Sequence, residues 1–253
     1  MAGFSEKLKQ LEERKRAYRE RLAALSPDRQ KAVTDDVWTE ASRLAPSLSR
    51  EGAQKPAVME AQEKLSQAFD MVRTFGKNEE VTPAFLMDLH YVLLKDADRW
   101  NAGCYRRTAA RWNNSTMIMS NWASIPSLVN RMCDQINANG DMGFYATDRT
   151  NEQLKKMAHN PVMRAIEACY GTIATHPFAD ANKRIARLNM ALILSRANHI
   201  PLTISNKQDF VRSVENYCAT HQPYQFVRTM LKQMDDSYDM AFHFLTKQER
   251  GGR

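Results

Sequence analysis

The sequence predicts an all-α protein, a helical bundle carrying one short β-hairpin. Three observations carry that expectation. Apolar residues recur at helical spacing along most of the chain, cap and first-turn proline signals mark several helix starts, and one segment near 103–119 breaks the pattern with strand-like runs around a turn.

The first helix spans Ser5 to Leu25, where Leu8, Leu11, Tyr18 and Leu22 recur at intervals of three, seven and four while Glu and Arg fill the other face. Ser26, Pro27 and Asp28 break it, and a second amphipathic stretch runs to about Leu44, ahead of Pro46. A third helix covers Pro56 to Phe75 and closes at Gly76. Thr82 is a good N-cap with Pro83 at the first helical position, which starts a fourth helix reaching about Leu94. From Thr108 to Trp112 and from Ser115 to Met119 the chain reads as two short strands around Asn113 and Asn114.

Helical periodicity returns from Ile125 to Ala138, and a loop with Gly140 and Gly143 follows. Asn160 and Pro161 open a helix whose stripe is Val162, Ala165, Ile166, Cys169 and Ile173, and it stops at His176-Pro177. Ile185 to Ala197 is apolar almost all the way round, so that helix belongs at the centre of the bundle. Helices near 207–219 and 222–236 complete the domain, with a ragged tail beyond. The expected division is a helical arm over 1–54, a core over 55–235 and a tail over 236–253.

Composition narrows the function classes. With 43% apolar and 26% charged residues the chain is of the globular type, and no apolar run approaches the roughly 20 residues of a membrane span. The charged start, without an apolar signal core, predicts a cytoplasmic location unless a secretion signal of another kind sends the protein into a host cell. The four cysteines are far apart with no CxxC pair, which argues against a zinc cluster or a disulfide framework. The net charge is +7, of which residues 1–31 contribute +4 through nine Lys or Arg against five Asp or Glu. Interleaved Glu and Lys/Arg read as a solvated helix face, so nucleic acid and membrane are disfavoured as partners.

The segment from His176 to Arg187 carries the chemistry. It lies between an amphipathic helix and a buried one, with its polar groups at the N-terminal end of the second, where unpaired N–H groups and the positive dipole end suit phosphate oxygens. Arg184 and Arg187, three apart, could grip a polyphosphate as a pair. Asp180 is the loop's one carboxylate and beside phosphates would hold Mg²⁺. His176 has the intrinsic pKa to take a proton from an attacking hydroxyl near neutral pH. Asn182 can cap the helix and donate to a phosphate, and Phe178 would pin the loop to the core.

His-x-Phe-x-Asp-Ala-Asn-Lys-Arg-x-x-Arg resembles the signature loop of the Fic family. Leu89-His90, the run Gly103 to Arg106 and Ile200-Pro201 extend the similarity over roughly residues 55–235. The resemblance implies a Fic-like bundle whose hairpin, the flap, sits beside the active-site loop. It implies a protein adenylyltransferase that moves AMP from ATP, or another nucleoside triphosphate, onto a Tyr, Thr or Ser hydroxyl of a protein target, with Mg²⁺ as cofactor. In those terms His176 is the general base and Asp180 the metal ligand. Asn182, Lys183, Arg184 and Arg187 hold the phosphates, and the flap residues Arg111, Trp112, Asn113, Asn114, Met117 and Ile118 dock the target segment. The Ala-Asn-Lys-Arg form, with Lys183 where many members have Gly, resembles the Doc branch, which transfers the terminal phosphate; Arg187 matches the AMP-transferring branch.

A second pattern, Ser47-x-x-x-Glu51-Gly52, is similar to the family's inhibitory motif. By that resemblance Glu51 pairs with Arg187, occupies the donors meant for the γ phosphate and keeps activity low until the arm moves. Self-association is compatible with all of this. The competing class is a basic helical protein that binds nucleic acid through its arm, its loop a remnant.

Overall fold

The computed structural model describes residues 3–43, 55–110, 119–138, 156–220 and 222–251. Among these residues the regular elements are helical: α1 (Gly3–Ala23), α2 (Pro27–Arg43), α3 (Lys55–Thr74), α4 (Pro83–Leu94), a 3-10 turn (Trp122–Ser124) running into α5 (Ile125–Asn137), α6 (Pro161–Thr175), α7 (Asn182–Arg196), α8 (Lys207–Thr220) and α9 (Tyr224–Arg250). Two helices start on the caps read from the sequence. The Thr82 side chain accepts from the Phe85 N–H at 3.2 Å, and Asn160 Oδ1 accepts from the Val162 N–H at 2.9 Å. Each such cap is worth about 1 kcal/mol.

The centre of the bundle is α7. Ile185, Leu188, Leu192 and Ile193 are all buried, and the helix packs on α6, α3 and α4. A helix without a polar face has no stable position except between other helices, where each fully buried aliphatic side chain contributes roughly 1.5–3 kcal/mol. One polar residue inside it is paired: Asn189 Nδ2 donates to Thr172 Oγ1 at 3.0 Å, and that hydroxyl donates to the Ala168 carbonyl at 2.7 Å. This bond ties α7 to α6, so the turn that joins them hangs from two immobilised helices.

The first two helices belong to the same core. Leu8, Leu11 and Tyr18 of α1 and Val33, Val37 and Ala41 of α2 are buried in the hydrophobic cluster that includes α7. On its polar side α1 is ion-paired to α9: Lys7 with Asp235, Arg14 with Asp235 and Asp239, and Arg21 with Glu249. The partner numbers rise together, so α1 and α9 run in the same direction. A buried tie accompanies them, with His199 between Tyr238 Oη at 2.8 Å and Glu12 Oε1 at 3.0 Å.

One expectation needs correction, and a second falls mostly outside the described residues. Beyond residue 236 the chain is not ragged but forms the second half of α9, because Tyr238, Ala241 and Leu245 are buried and Tyr18 of α1 stacks edge-on against Tyr238 and Phe242. Nor do the described residues hold a regular strand. The hairpin tip at 111–118, with Arg111, Trp112, Asn113, Asn114, Met117 and Ile118, lies outside the described residues, although its ends approach through the Met119 N–H and the Ala110 carbonyl at 3.4 Å. No helix among the described residues is long and apolar enough to cross a membrane.

Candidate active site

The turn from His176 to Ala181 starts and finishes in the left-handed backbone region, with φ of 47° at His176 and 61° at Ala181. Neither is glycine, and that conformation costs a residue with a Cβ roughly 1–2 kcal/mol. Surrounding bonds must therefore hold the turn in place.

Three sets of contacts do so. Inside the turn, the Phe178 N–H donates to Asn182 Oδ1 at 3.0 Å and Asn182 Nδ2 donates to the Phe178 carbonyl at 2.8 Å, closing the loop on itself. From α4, the ring of His90 stacks on Phe178 with centroids 3.9 Å apart and planes within 9°. The Gly103 N–H donates to His90 Nδ1 at 3.0 Å, so the proton sits on Nε2, which reaches the Asp180 carbonyl at 3.3 Å. Burial pushes the His90 pKa down to about 4 and keeps the ring neutral. Gly103 needs its lack of a side chain: φ is +71° and a Cβ would meet Tyr91 at 3.3 Å.

The third set is Arg106. Its Nε donates to the His176 carbonyl at 2.6 Å, Nη1 to Thr108 at 2.6 Å, and Nη2 to Ser120 at 2.5 Å and Thr175 at 3.3 Å. One buried guanidinium thus joins the end of α6, the turn from His176 to Ala181 and both ends of the segment read as a hairpin. Its neighbours add main-chain contacts, an antiparallel bridge between Tyr105 and Phe178 and an Arg106 N–H bond to the Pro177 carbonyl at 3.0 Å.

On this frame stand the charged and titratable side chains of the turn. His176 is the C-cap of α6, and its Nδ1 is buried without a well-formed hydrogen bond, although the Ile173 backbone lies close enough to favour its protonated form. Burial first, and the positive charge of Arg106 second, push its pKa down to about 4. The Asp180 side chain is exposed at the start of α7; Oδ1 accepts from the Ala181 N–H at 2.6 Å and Oδ2 lies 3.9 Å from Arg184. Burial lowers the pKa of Lys183, with nearby Lys207 adding to it, and burial does the same to Arg184.

Arg187 is placed differently. It is 1% exposed, Nη2 donates to the Ala41 carbonyl in the last turn of α2 at 2.6 Å, and the guanidinium lies 5.7 Å from the Phe69 ring centre. Among the described residues its Nε and Nη1 have no hydrogen-bond partner, and burial lowers its pKa to about 10.

His176, Asp180, Lys183 and Arg184 therefore share one turn, while Arg187 faces α2 instead of standing beside Arg184 as a pair. The cause is the helix geometry of α7, which turns residue 187 inward toward α2 and α3. Asn182 does not cap α7 either; Ala181 holds the N-cap position and the Asn182 side chain is spent on Phe178. Ser47, Glu51 and Gly52 lie outside the described residues. The sequence reading gave no role to Arg106 or to His90, which is 0% exposed. A lone Arg next to Arg107 carries little local signal, because three of the four carbonyls it binds are 14 to 70 residues away.

A helical bundle with a polar turn of this composition at the head of its buried central helix defines a class of protein built to present charged groups at a helix N-terminus. Residues 80–194 match the model of the Fic/DOC family. The chain is 26% identical over 128 residues to protein adenylyltransferase fic-1 of Caenorhabditis briggsae, a match covering 51% of this chain and 22% of that protein. The chain thus spans about a fifth of that relative's length. Among solved structures, Fic-1 (residues 134–508) of C. elegans superposes with a TM-score of 0.72 at 16% identity, over 96% of this chain and 73% of that one. A variant of IbpAFic2 in complex with adenylylated Cdc42 does so with a TM-score of 0.53 at 15% identity, over 90% and 76%.

Proposed function

We infer that this chain is a protein adenylyltransferase, moving AMP from ATP to a hydroxyl side chain of a protein. The observation that carries the reading is His176. Its ring is held neutral by burial, with Nδ1 inside, which leaves Nε2 as the edge able to accept a proton. The same turn offers an exposed carboxylate and two cations at a helix N-terminus, a setting that favours phosphate. The adenylylated Cdc42 bound by IbpAFic2 supports a protein as acceptor.

The target hydroxyl gives its proton to His176 Nε2 as its oxygen bonds to the α phosphorus. The bond between that phosphorus and its bridging oxygen breaks, and pyrophosphate leaves. Arg184 and Lys183 neutralise charge on the phosphate oxygens, while Asn182 and Arg106 keep the turn rigid. Asp180, the one exposed carboxylate of the turn, fits a Mg²⁺ that would arrive with the nucleotide, since such ions take one or two carboxylates and fill their remaining positions from phosphates and water. When bound, the ion would neutralise further phosphate charge.

Arg187, turned onto the α2 carbonyl and with two guanidinium nitrogens lacking a partner among the described residues, is compatible with a restrained state, and the Ser47-to-Gly52 pattern makes Glu51 the candidate for its acidic partner. Lys183 favours a second reading, transfer of the terminal phosphate. Incubation with ATP labelled at the α or the γ phosphorus separates them: protein label from the α position, abolished in His176→Ala, is expected. Retention of γ label alone would replace AMP transfer with phosphate transfer, and equal labelling of His176→Ala would remove the mechanism.

A further inference from the structure

The first turns of α1 and α9 meet at the surface around a concave groove of about 520 Å³. Its wall is apolar, formed by Phe4, Tyr224 and Leu231, with the Phe4 and Tyr224 rings stacked 6.3 Å apart. Its charged side chains are all cations: Lys7, Arg228 and Lys232. Among the described residues no acidic side chain lines the groove, and Asp235 of α9 is already bonded by both Lys7 and Arg14. Two parallel helices also begin here. The α9 start is capped by Pro223 without a side-chain cap bond, so its first-turn N–H groups add positive potential to that of the side chains.

A cavity of this size, mostly apolar with a few convergent polar groups of one sign, has the form of a small-molecule site. We propose that the groove between the starts of α1 and α9 binds a small anionic amphiphile, an acyl chain ending in a carboxylate. The chain lies on Phe4, Tyr224 and Leu231, and the carboxylate faces Arg228 and Lys232. The groove includes no residue of the 176–187 segment, so the proposal does not depend on the transferase reading.

The test is calorimetric titration of the full chain with dodecanoate below its micelle threshold, beside uncharged dodecanol. Saturable one-to-one binding of dodecanoate is expected, weakened about tenfold or more in Arg228→Glu/Lys232→Glu, as expected for loss and reversal of two close charges. Both substituted residues are exposed, so an unchanged circular-dichroism melt shows that the double variant still folds. No saturable binding, undiminished binding by the double variant, or equal affinity for dodecanol would overturn the proposal. So would binding of an acidic amphipathic peptide in a concentration range where dodecanoate fails, which would make the groove a protein contact instead.

Discussion

Arg106→Met removes the charge from the clamp while keeping its approximate volume. Four main-chain carbonyls, those of Thr108, Ser120, Thr175 and His176, lose a cationic donor at once. Hydrogen bonds to charged groups are worth about 1.5–3 kcal/mol each, but these share one side chain and cannot be summed. Part of the loss is offset because burial already disfavours the guanidinium charge, as the lowered pKa of Arg106 shows. A net destabilisation of about 3–5 kcal/mol follows, at the scale of breaking a buried ionic network. The turn carrying His176 would relax with it, and a shift near 1 Å at a reacting group costs on the order of 10²-fold in rate. Urea unfolding measures the first effect and self-labelling with nucleotide, under conditions where the variant is still folded, the second. A destabilisation below about 1 kcal/mol would show that water or neighbouring groups satisfy those carbonyls, and that Arg106 does not hold the turn.

Other outcomes follow from the same geometry. Ala181→Gly should raise stability by about 0.5–1 kcal/mol in a thermal melt, since relief of the positive φ exceeds the added backbone entropy of the unfolded chain; a lower melting temperature would refute strain at this position. Because His90, His176 and His199 all have folded pKa values near 4, the unfolded chain binds more protons between about pH 6.5 and 4, so stability should be fully present above 6.5 and fall as pH drops through that window. Each histidine contributes roughly 3 kcal/mol to that loss, and a flat unfolding midpoint from pH 7 to 4.5 would contradict the burial of neutral rings. For the same reason the labelling rate should stay level from pH 8 to 6, whereas an ordinary histidine base would lose half its activity near 6.5. Glu51→Gly should increase self-labelling with Mg²⁺ and nucleotide; mass spectrometry that finds unchanged or lower modification would remove Glu51 from the restraint on Arg187.

What the sequence by itself determined was mostly local or periodic. Helix starts at Thr82 and Asn160 were readable because a cap and its proline act within one turn. The central position of α7 was readable because a helix with no polar face can be solvated nowhere. The candidate turn was readable as a string because His176, Asp180, Lys183 and Arg184 are close along the chain. The second half of α9 was missed, since its apolar stripe has meaning only once α1 lies beside it.

The tertiary structure decided which way the charged side chains face. Spacing alone put Arg184 and Arg187 on adjacent positions, but packing of α7 against α2 and α3 drew Arg187 inside, onto a carbonyl 146 residues earlier in the chain. Asn182 likewise turned from a cap into a brace for Phe178, because Ala181 took the left-handed position ahead of it. Arg106 and His90 gained their roles only when distant carbonyls and a ring came within bonding distance. Periodicity reports where a side chain stands on its own helix; which buried carbonyl or ring it meets depends on the helices that close around it, and no short window of residues contains that information.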